Sequence, residues 1–411
     1  MFLFTISGRD RTLRTPLGWH SKMSKRKYVW KNIHLGNTFF LALVFISSVV
    51  VLPLFVWAYH TDIQHLWVHI GLAVALFIYS GMGITFGYHR LLSHKAFKAK
   101  GPVKLFALIG GATAMQDSAL VWSADHRRHH KHVDHEDDPY NIKKGFWHAH
   151  IGWILFKEKL APPKDNVKDL QADALVMWQH RWWIQIGLAV GFALPALVGW
   201  LVERNWQGAV FGLLLGGMFR LVACHHSTFF INSLCHYLGK QPYSSSHTAK
   251  DSWFMALLTF GEGYHNYHHE FQHDYRNGVK AWQFDPTKWA AWALSKLGLT
   301  SDLRRVPDEK IMLSEIRQKQ RQLTEKISNA PQPVCENAQA LFAEAGEKLH
   351  SAAESWERAK NEYSKAAQKK IDLTKEQLAE LRTRFEEAVA ELREAIAHWH
   401  AAHQKLAGQL A

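Results

Sequence analysis

The apolar residues of this chain fall into four long runs, separated by alternately short and long polar stretches. The run from Gly36 to Tyr59 is almost wholly apolar. A second, Leu66 to Tyr88, follows after the turn HTDIQH, which carries no Lys or Arg. A third covers about Trp182 to Val202, and a fourth runs from Ala209 to about residue 231 after the turn ERNWQG. Each is long enough for a helix to cross a bilayer. Two short connections and two long ones predict two membrane hairpins, with both termini and both long polar segments on one side. Eight Lys and Arg precede residue 34 against one acid, Asp10, which puts that side in the cytoplasm by the positive-inside rule. The first run is too long for a cleaved signal peptide and lacks a small-residue cleavage site. Four such runs with fitting loop charges argue against core helices of a water-soluble protein. Two further stretches, VKLFALIGGATAM and DSWFMALLTF, are too short or too interrupted to span and suit helices lying along the interface. The expected fold class is all-α and integral to the inner (cytoplasmic) membrane, with four transmembrane helices under a cytoplasmic helical cap.

Past Val306 the pattern changes. Phe342, Leu349, Trp356 and Tyr363 recur every seven residues, as do Leu378, Phe385, Leu392 and Trp399, and Leu381, Ala388 and Ala395 fill companion positions. That is a coiled-coil-like stripe. Between the two sets, Thr374 with Gln377 reads as a capping box opening a second helix. The chain therefore divides into a basic cytoplasmic segment, 1–34, a membrane domain, 35–307, and a tail, 308–411, forming a coiled-coil-like helical hairpin. The tail is free to oligomerise, dock a partner or fold on its own chain.

Composition adds limits. The formal charge of +13 raises the question of nucleic acid, but the basic residues form no stripe interleaved with aromatics, so none is expected. Cys224, Cys235 and Cys335 form no CxxC and are odd in number, so no disulfide framework is implied.

The histidines change the picture most. GEGYHNYHHEF places His265, His268 and His269 within five positions, and His126, His129 and His130 repeat the spacing. On a helix, i, i+3 and i+4 share one face. Neutral imidazoles gathered on one face suit zinc, copper, iron or nickel better than magnesium or calcium. A third box, HRLLSH, holds His89 and His94 at i, i+5. On an ideal helix these diverge by about 140°, so they are expected on different faces, reaching different ions or straddling a helix end. Asn232 and His236 sit at i, i+4 beyond the fourth span. Every box falls on the cytoplasmic side, so all can meet. His89, His94, His126, His129, His130, His236, His265, His268 and His269 make nine candidate ligands. A structural zinc takes four, so nine imply two ions, with Asn232 acting through a water. His132 and His135 lie in a polar run and are expected to be solvated, as are His148, His150, His247 and His273, which match no box. His225 returns to nearly the helix face of His236, and His226 is left unassigned.

HRLLSH, DHRRHH, NSLCH and GEGYHNYHH, in this order, resemble the histidine boxes of integral-membrane fatty acyl-CoA desaturases of the stearoyl-CoA delta-9 type, over residues 35 to 307. The resemblance implies two iron ions (Fe2+/Fe3+), O2 as co-substrate, and a cis double bond made by removing two hydrogens from adjacent methylenes of a long-chain acyl-CoA. Physical chemistry agrees on the metal. An unactivated methylene has no acidic proton, so a redox metal with O2 must supply the oxidant, and zinc is redox-silent. By resemblance Gln116, Trp122 and Asp125 line the acyl tunnel mouth, Thr228 and Phe229 line the tunnel, and Lys157 and Lys159 meet coenzyme A phosphates. Ala124 departs from the pattern, standing where animal members carry Arg, which leaves phospholipid or carrier-protein acyl chains open beside acyl-CoA. No HPGG-like cytochrome b5 signature is present, so electrons must come from a separate donor: a ferredoxin, rubredoxin, cytochrome b5 or flavin reductase. A related membrane di-iron hydroxylase and a non-catalytic metal-binding membrane protein remain the alternatives.

Helix geometry supplies one further expectation. Thr85, Gly81 and Phe77 precede His89 by four, eight and twelve residues on roughly one helix face. At about 1.5 Å per residue, Gly81 lies ~12 Å and Phe77 ~18 Å from the metal end. A small residue above a bulky one suits a tunnel that admits a chain and then stops it. Close helix packing in a membrane would use Gly81 equally well.

Overall fold

A computed structural model describes residues 32–156, 165–328, 332–368 and 374–409. Four helical segments are long and apolar enough to cross a membrane: Leu35–Asp62, Leu66–Ser93, Ala174–Glu203 and Trp206–His236, here spans 1 to 4. Each helix runs longer than the apolar run that announces it, span 3 by the eight residues 174–181 at its start and span 4 by the five residues 232–236 at its end. Large apolar side chains stand exposed along these helices, among them Phe39, Trp57, Trp67, Leu197 and Trp200. In water such a surface would be a liability; against lipid it is the expected exterior.

Small residues bring the spans together. A Cβ on Gly199 of span 3 would fall 2.1 Å from the Gly208 carbonyl oxygen of span 4, so only glycine allows this backbone approach. Arg220 of span 4 is buried and makes four hydrogen bonds. Its guanidinium donates to Ser80 Oγ (3.1 Å), the Thr113 carbonyl (2.8 Å), the Gly191 carbonyl (2.8 Å) and the Gly216 carbonyl (3.1 Å). One cation thus ties span 4 to spans 2 and 3 and to the helix Gly101–Thr113.

That helix, from the first interfacial stretch, crosses span 2 where Gly83 meets Gly110 and Gly111. The second stretch forms Trp253–Leu258 and leaves Trp253, Phe254, Leu257 and Leu258 exposed, as an interfacial helix requires. The cap adds the helix Ala119–His132, the short helix His265–Glu270 and the helix Pro286–Lys296. Among the described residues the only sheet is a two-residue antiparallel pair, Lys98–Ala99 with Thr300–Ser301.

Among the described residues the tail has three helices: Asp308–Ser328, Gln332–Gln368 and Lys375–Gln409. The capping box forms, with Thr374 N donating to Gln377 Oε1 (3.0 Å) and Gln377 N to Thr374 Oγ1 (3.2 Å). Leu349, Trp356, Leu392 and Trp399 are buried, Tyr363 stacks on Phe385, and Leu378 is largely exposed; the Phe342 side chain lies outside the described residues. The first tail helix completes this core with Leu313, Ile316 and Leu323, so the hairpin is closed into a three-helix bundle. The same helix faces the cap with Ile311, which packs with Tyr267 and Phe271 beside the last histidine box.

Candidate metal centre

The end of span 2, Gly83–Ser93, is wound as a π-helix. Its hydrogen bonds run i to i+5, so residues five apart come into line. The His94 amide closes this pattern on the His89 carbonyl at 3.0 Å. His89 and His94 therefore face the same point, with ring centroids 4.7 Å apart. The expected divergence of the pair does not occur, because the 100° step of an α-helix does not apply to this stretch.

All nine box histidines converge, and they separate into two clusters: His89, His94, His126, His130 and His268; and His129, His236, His265 and His269. Within each, one ligating atom per residue lies within 4.8 Å of all the others. Facing Nε2 atoms are 3.0 Å apart for His89 and His268, 2.8 Å for His94 and His126, and 3.0 Å for His268 and His130. In the second cluster the spacings are 3.1 Å for His265 and His236, 3.1 Å for His269 and His265, and 3.3 Å for His129 and His269.

The outer nitrogens decide what these short contacts mean. His89 Nδ1 donates to Glu262 (3.1 Å), His129 Nδ1 to Asp138 (2.8 Å), and His236 Nδ1 to Thr248 Oγ1 (2.8 Å), whose hydroxyl donates to Asp134 (2.7 Å). With Nδ1 donating outward, each of these rings turns its Nε2 inward. Burial, together with neighbouring imidazoles, pushes His94, His126, His130, His265, His268 and His269 below the ordinary histidine range, so these rings are neutral. Converging lone pairs repel unless a cation sits between them. Nitrogens about 2.1 Å from one ion and at roughly 90–110° to each other are about 3.0–3.4 Å apart, close to the spacings observed. The donor set fits two transition-metal ions, and nothing in it favours a hard cation.

The supporting carboxylates were not singled out from the sequence. Glu262 stands in the GEG that precedes the last box. It accepts from Arg90 at 2.9 Å and from Asn277 at 2.6 Å, besides His89. Burial alone would raise its carboxyl, but His89 and Arg90 hold it below the usual range. Arg90 also pairs with Asp285 (2.9 Å) and donates to the Tyr275 carbonyl. Asp138, six residues past His132, behaves likewise: burial raises it, and His129 with the amides of Asp134 and Tyr140 more than offsets that. The signal was an acid close to a box in sequence, a pattern that exposed acids share.

The other histidines divide. His135 and His273 are exposed and His132 is half-buried. His148, His150 and His247 are buried rather than solvated; the first two lie in a π-helical turn, His148–Gly152, packed on span 4, and His247 on a folded loop. His150 bridges Ser233 Oγ (2.9 Å) and His226 Nδ1 (3.1 Å). His225 donates to the Ala114 carbonyl (2.8 Å) and lies along Phe229.

A cavity of about 670 Å³ opens against both clusters. His89 and His126 reach it from the first, His129 and His265 from the second, and Asn232 stands beside them. Gln116, Trp122, Asp125, Thr228 and Phe229 all line it, and Gln116 donates to Thr228 Oγ1 at 2.9 Å. Trp122 stacks on His126 with centroids 4.8 Å apart. Ala124 faces the packed interior. Gly81 and Phe77 are not among the cavity walls; both pack on the Phe260 ring. Lys157 and Lys159 lie outside the described residues.

Fold and centre together define a multi-pass membrane protein with a histidine-rich site for two metal ions at one end of its spans. The chain belongs to the fatty acid desaturase family, which it matches over residues 65–299. It is 44% identical over 252 residues to a probable acyl-CoA desaturase of Schizosaccharomyces pombe, covering 61% of this chain and 52% of that protein. It is 33% identical to human stearoyl-CoA desaturase over 294 residues, 70% of this chain and 77% of the human one. An sn-1 stearoyl-lipid 9-desaturase of Synechocystis is 36% identical over 247 residues, 59% of this chain and 74% of that protein. The chain spans about half the length of the curated yeast relatives it matches.

Proposed function

We propose that this protein is an O2-dependent desaturase that introduces a cis delta-9 double bond into a long-chain acyl-CoA. The observation that carries the reading is the cavity, whose wall includes ligands of both clusters beside Phe40, Leu41, Ile84, Met115, Val121, Phe229 and Ile231. Its volume falls in the ~300–1,000 Å³ range of ligand sites. Two iron ions held by the nine histidines would supply, with O2 and two electrons, the oxidising power that takes two hydrogens from neighbouring methylenes and ends in water.

The chain's own residues do the rest. Apolar walls hold an alkyl chain and keep water from the reacting carbons. Trp122, stacked on His126, shapes the surface against which the methylenes lie. Glu262 and Asp138 fix the tautomer and direction of His89 and His129. Gln116 and Thr228, bonded to each other across the cavity, hold the cap to span 4. Asn232 reaches the second ion through a water. Electrons come from a separate donor, and the centre and both termini face the cytoplasm.

The test is expression in a host without desaturation, followed by gas chromatography of total fatty acids and mass spectrometry of the products. A double bond in wild type and none in His268→Ala supports the reading; added oxygen instead of lost hydrogen would make the protein a hydroxylase. A lipid-linked acyl chain is the second substrate reading. It is favoured by the name of the Synechocystis relative and by the apolar, buried Ala124. Assays with acyl-CoA against intact phospholipid separate the two.

A further inference from the structure

A tenth imidazole lies beside this centre. His247 is 8% exposed, and its ring centroid is 5.1 Å from that of His269. Neither of its ring nitrogens has a hydrogen-bond partner. Burying an imidazole with both nitrogens unsatisfied is unfavourable, and packing alone would be served better by Leu or Phe. The backbone that carries it is fixed to the second cluster. The next residue, Thr248, donates its amide and hydroxyl to Asp134 (2.6 and 2.7 Å) and receives His236 Nδ1 (2.8 Å). Gln241 holds the His247 carbonyl. With its main chain held on both sides, the ring has only its own side-chain torsions left to move.

The two clusters are unequal, five imidazoles against four. His247 stands at the smaller one, outside the mutual 4.8 Å spacing of its four members. It does not line the cavity. Ligation by His247 would therefore leave the cavity side, where Asn232 stands, open. We propose that His247 is a fifth imidazole for the second ion, turning about its side-chain bonds to ligate the metal held by His129, His236, His265 and His269. The proposal rests on reading the two clusters as a metal centre.

The test uses the full chain in detergent, stripped of metal and titrated with Co2+ alone. Wild type should take two equivalents, the second with the weak visible absorption of cobalt carrying five or more ligands. His247→Phe keeps a ring of similar size and removes both nitrogens. It should bind the first equivalent as wild type does. It should hold the second about 10-fold or more weakly, since even outer-shell partners cost at least that, and with stronger visible absorption than wild type, because the ion has one ligand fewer. Unchanged affinity and spectrum would overturn the assignment. A role in packing alone predicts that unchanged result together with a lower melting temperature of the metal-free chain in His247→Ala. Should wild type take fewer than two equivalents, the two-ion reading itself fails, a different outcome from equal binding by both proteins.

Discussion

The two halves of the metal centre are drawn from the same sequence elements but assembled differently. DHRRHH and HNYHH have the same i, i+3, i+4 spacing, and each is split between the clusters. His126 and His130 go to the first cluster and His129 to the second; His265 and His269 go to the second and His268 to the first. The boxes are thus exchanged like two hands each lending a finger. The inequality comes from elsewhere. Span 2 gives its π-wound end, hence both His89 and His94, to the first cluster, whereas span 4 gives the second only His236. Support differs in the same sense. Glu262 belongs to a buried network with Arg90, Asn277 and, through Arg90, Asp285. Asp138 is held by local amides of its own loop, those of Asp134 and Tyr140, and Asp134 by Thr248 of the 240–251 loop. The first half is pinned to the membrane body, and the second is held by the cap's loops.

The largest effects should follow loss of a ligand. His268→Ala and His265→Ala should each abolish desaturation, yet remove iron from different halves. Iron analysis of the purified variants should find roughly one ion left in each, while His132→Ala stays near wild type in both iron and activity. Full turnover in either ligand variant would break the assignment of that residue. Next come the supporting carboxylates. Glu262→Gln and Asp138→Asn should each lower metal affinity about 10–100-fold. Glu262→Gln should also reduce thermal stability, because it leaves Arg90 buried with less compensation. Equal melting temperatures for the two variants would show that the first half is no more firmly built than the second.

Much of this was legible in the sequence, and the reasons are physical. Four apolar runs with the right loop lengths have few alternatives once water is excluded from the spans. Histidines repeated at i, i+3, i+4 have little reason to cluster except a metal. Thr374 and Gln377 formed the cap their spacing announced. The misses have a common origin in geometry that regular periodicity does not describe. The π-winding of span 2 brought His94 back to His89, and it breaks the regular phase that would have put Gly81 and Phe77 on the His89 face; both meet Phe260 instead. Folding of the 240–251 loop buried His247, whose sequence neighbours Ser244, Ser245 and Ser246 suggest a solvated turn. The first tail helix, Asp308–Ser328, was not singled out from the sequence, which announced only the hairpin, and neither was its double duty. Ile311 and Ser314 touch the cap, with Ser314 donating to the Tyr243 carbonyl at 3.0 Å, while Leu313 and Ile316 close the tail bundle.

That double duty gives a medium-sized effect on the looser half of the centre. Truncation after residue 328 should keep both irons, since every ligand and the Ile311 contact remain. Ile311→Ala in the full chain should cost about 2–5 kcal/mol in stability, as buried Ile truncations do, because it empties space beside Tyr267 and Phe271. Loss of iron from the 328 truncate, with the membrane domain still folded, would show that the whole tail bundle supports the second half.

The smallest effect concerns the chain that both halves face. Along span 2 the cavity wall includes His89, Thr85 and Ile84 and goes no further; one turn deeper, the Phe260 ring lies against Gly81. A Cβ on Gly81 would sit 2.3 Å from that ring, and Phe77 holds its other side at 5.2 Å between centroids. None of Gly81, Phe77 and Phe260 lines the cavity; we propose the Phe260 ring, with Phe77 behind it, as a floor lying just beyond its last span 2 residue. Gly81 is then the residue that lets the floor stay low. Phe77→Ala and Phe260→Ala should shift the product profile toward longer chains. Gly81→Leu must push the Phe260 ring aside, which should favour shorter chains and cost about 1–3 kcal/mol in stability through overpacking. A methylene more or less in an apolar pocket is worth about 1–3 kcal/mol, so the profile should move by one or two carbons rather than change class. Competition assays with acyl chains of graded length on iron-loaded variants would read the shift directly. An unchanged profile in all three would leave Phe77, Gly81 and Phe260 as helix packing, and the floor would have to lie elsewhere along the cavity.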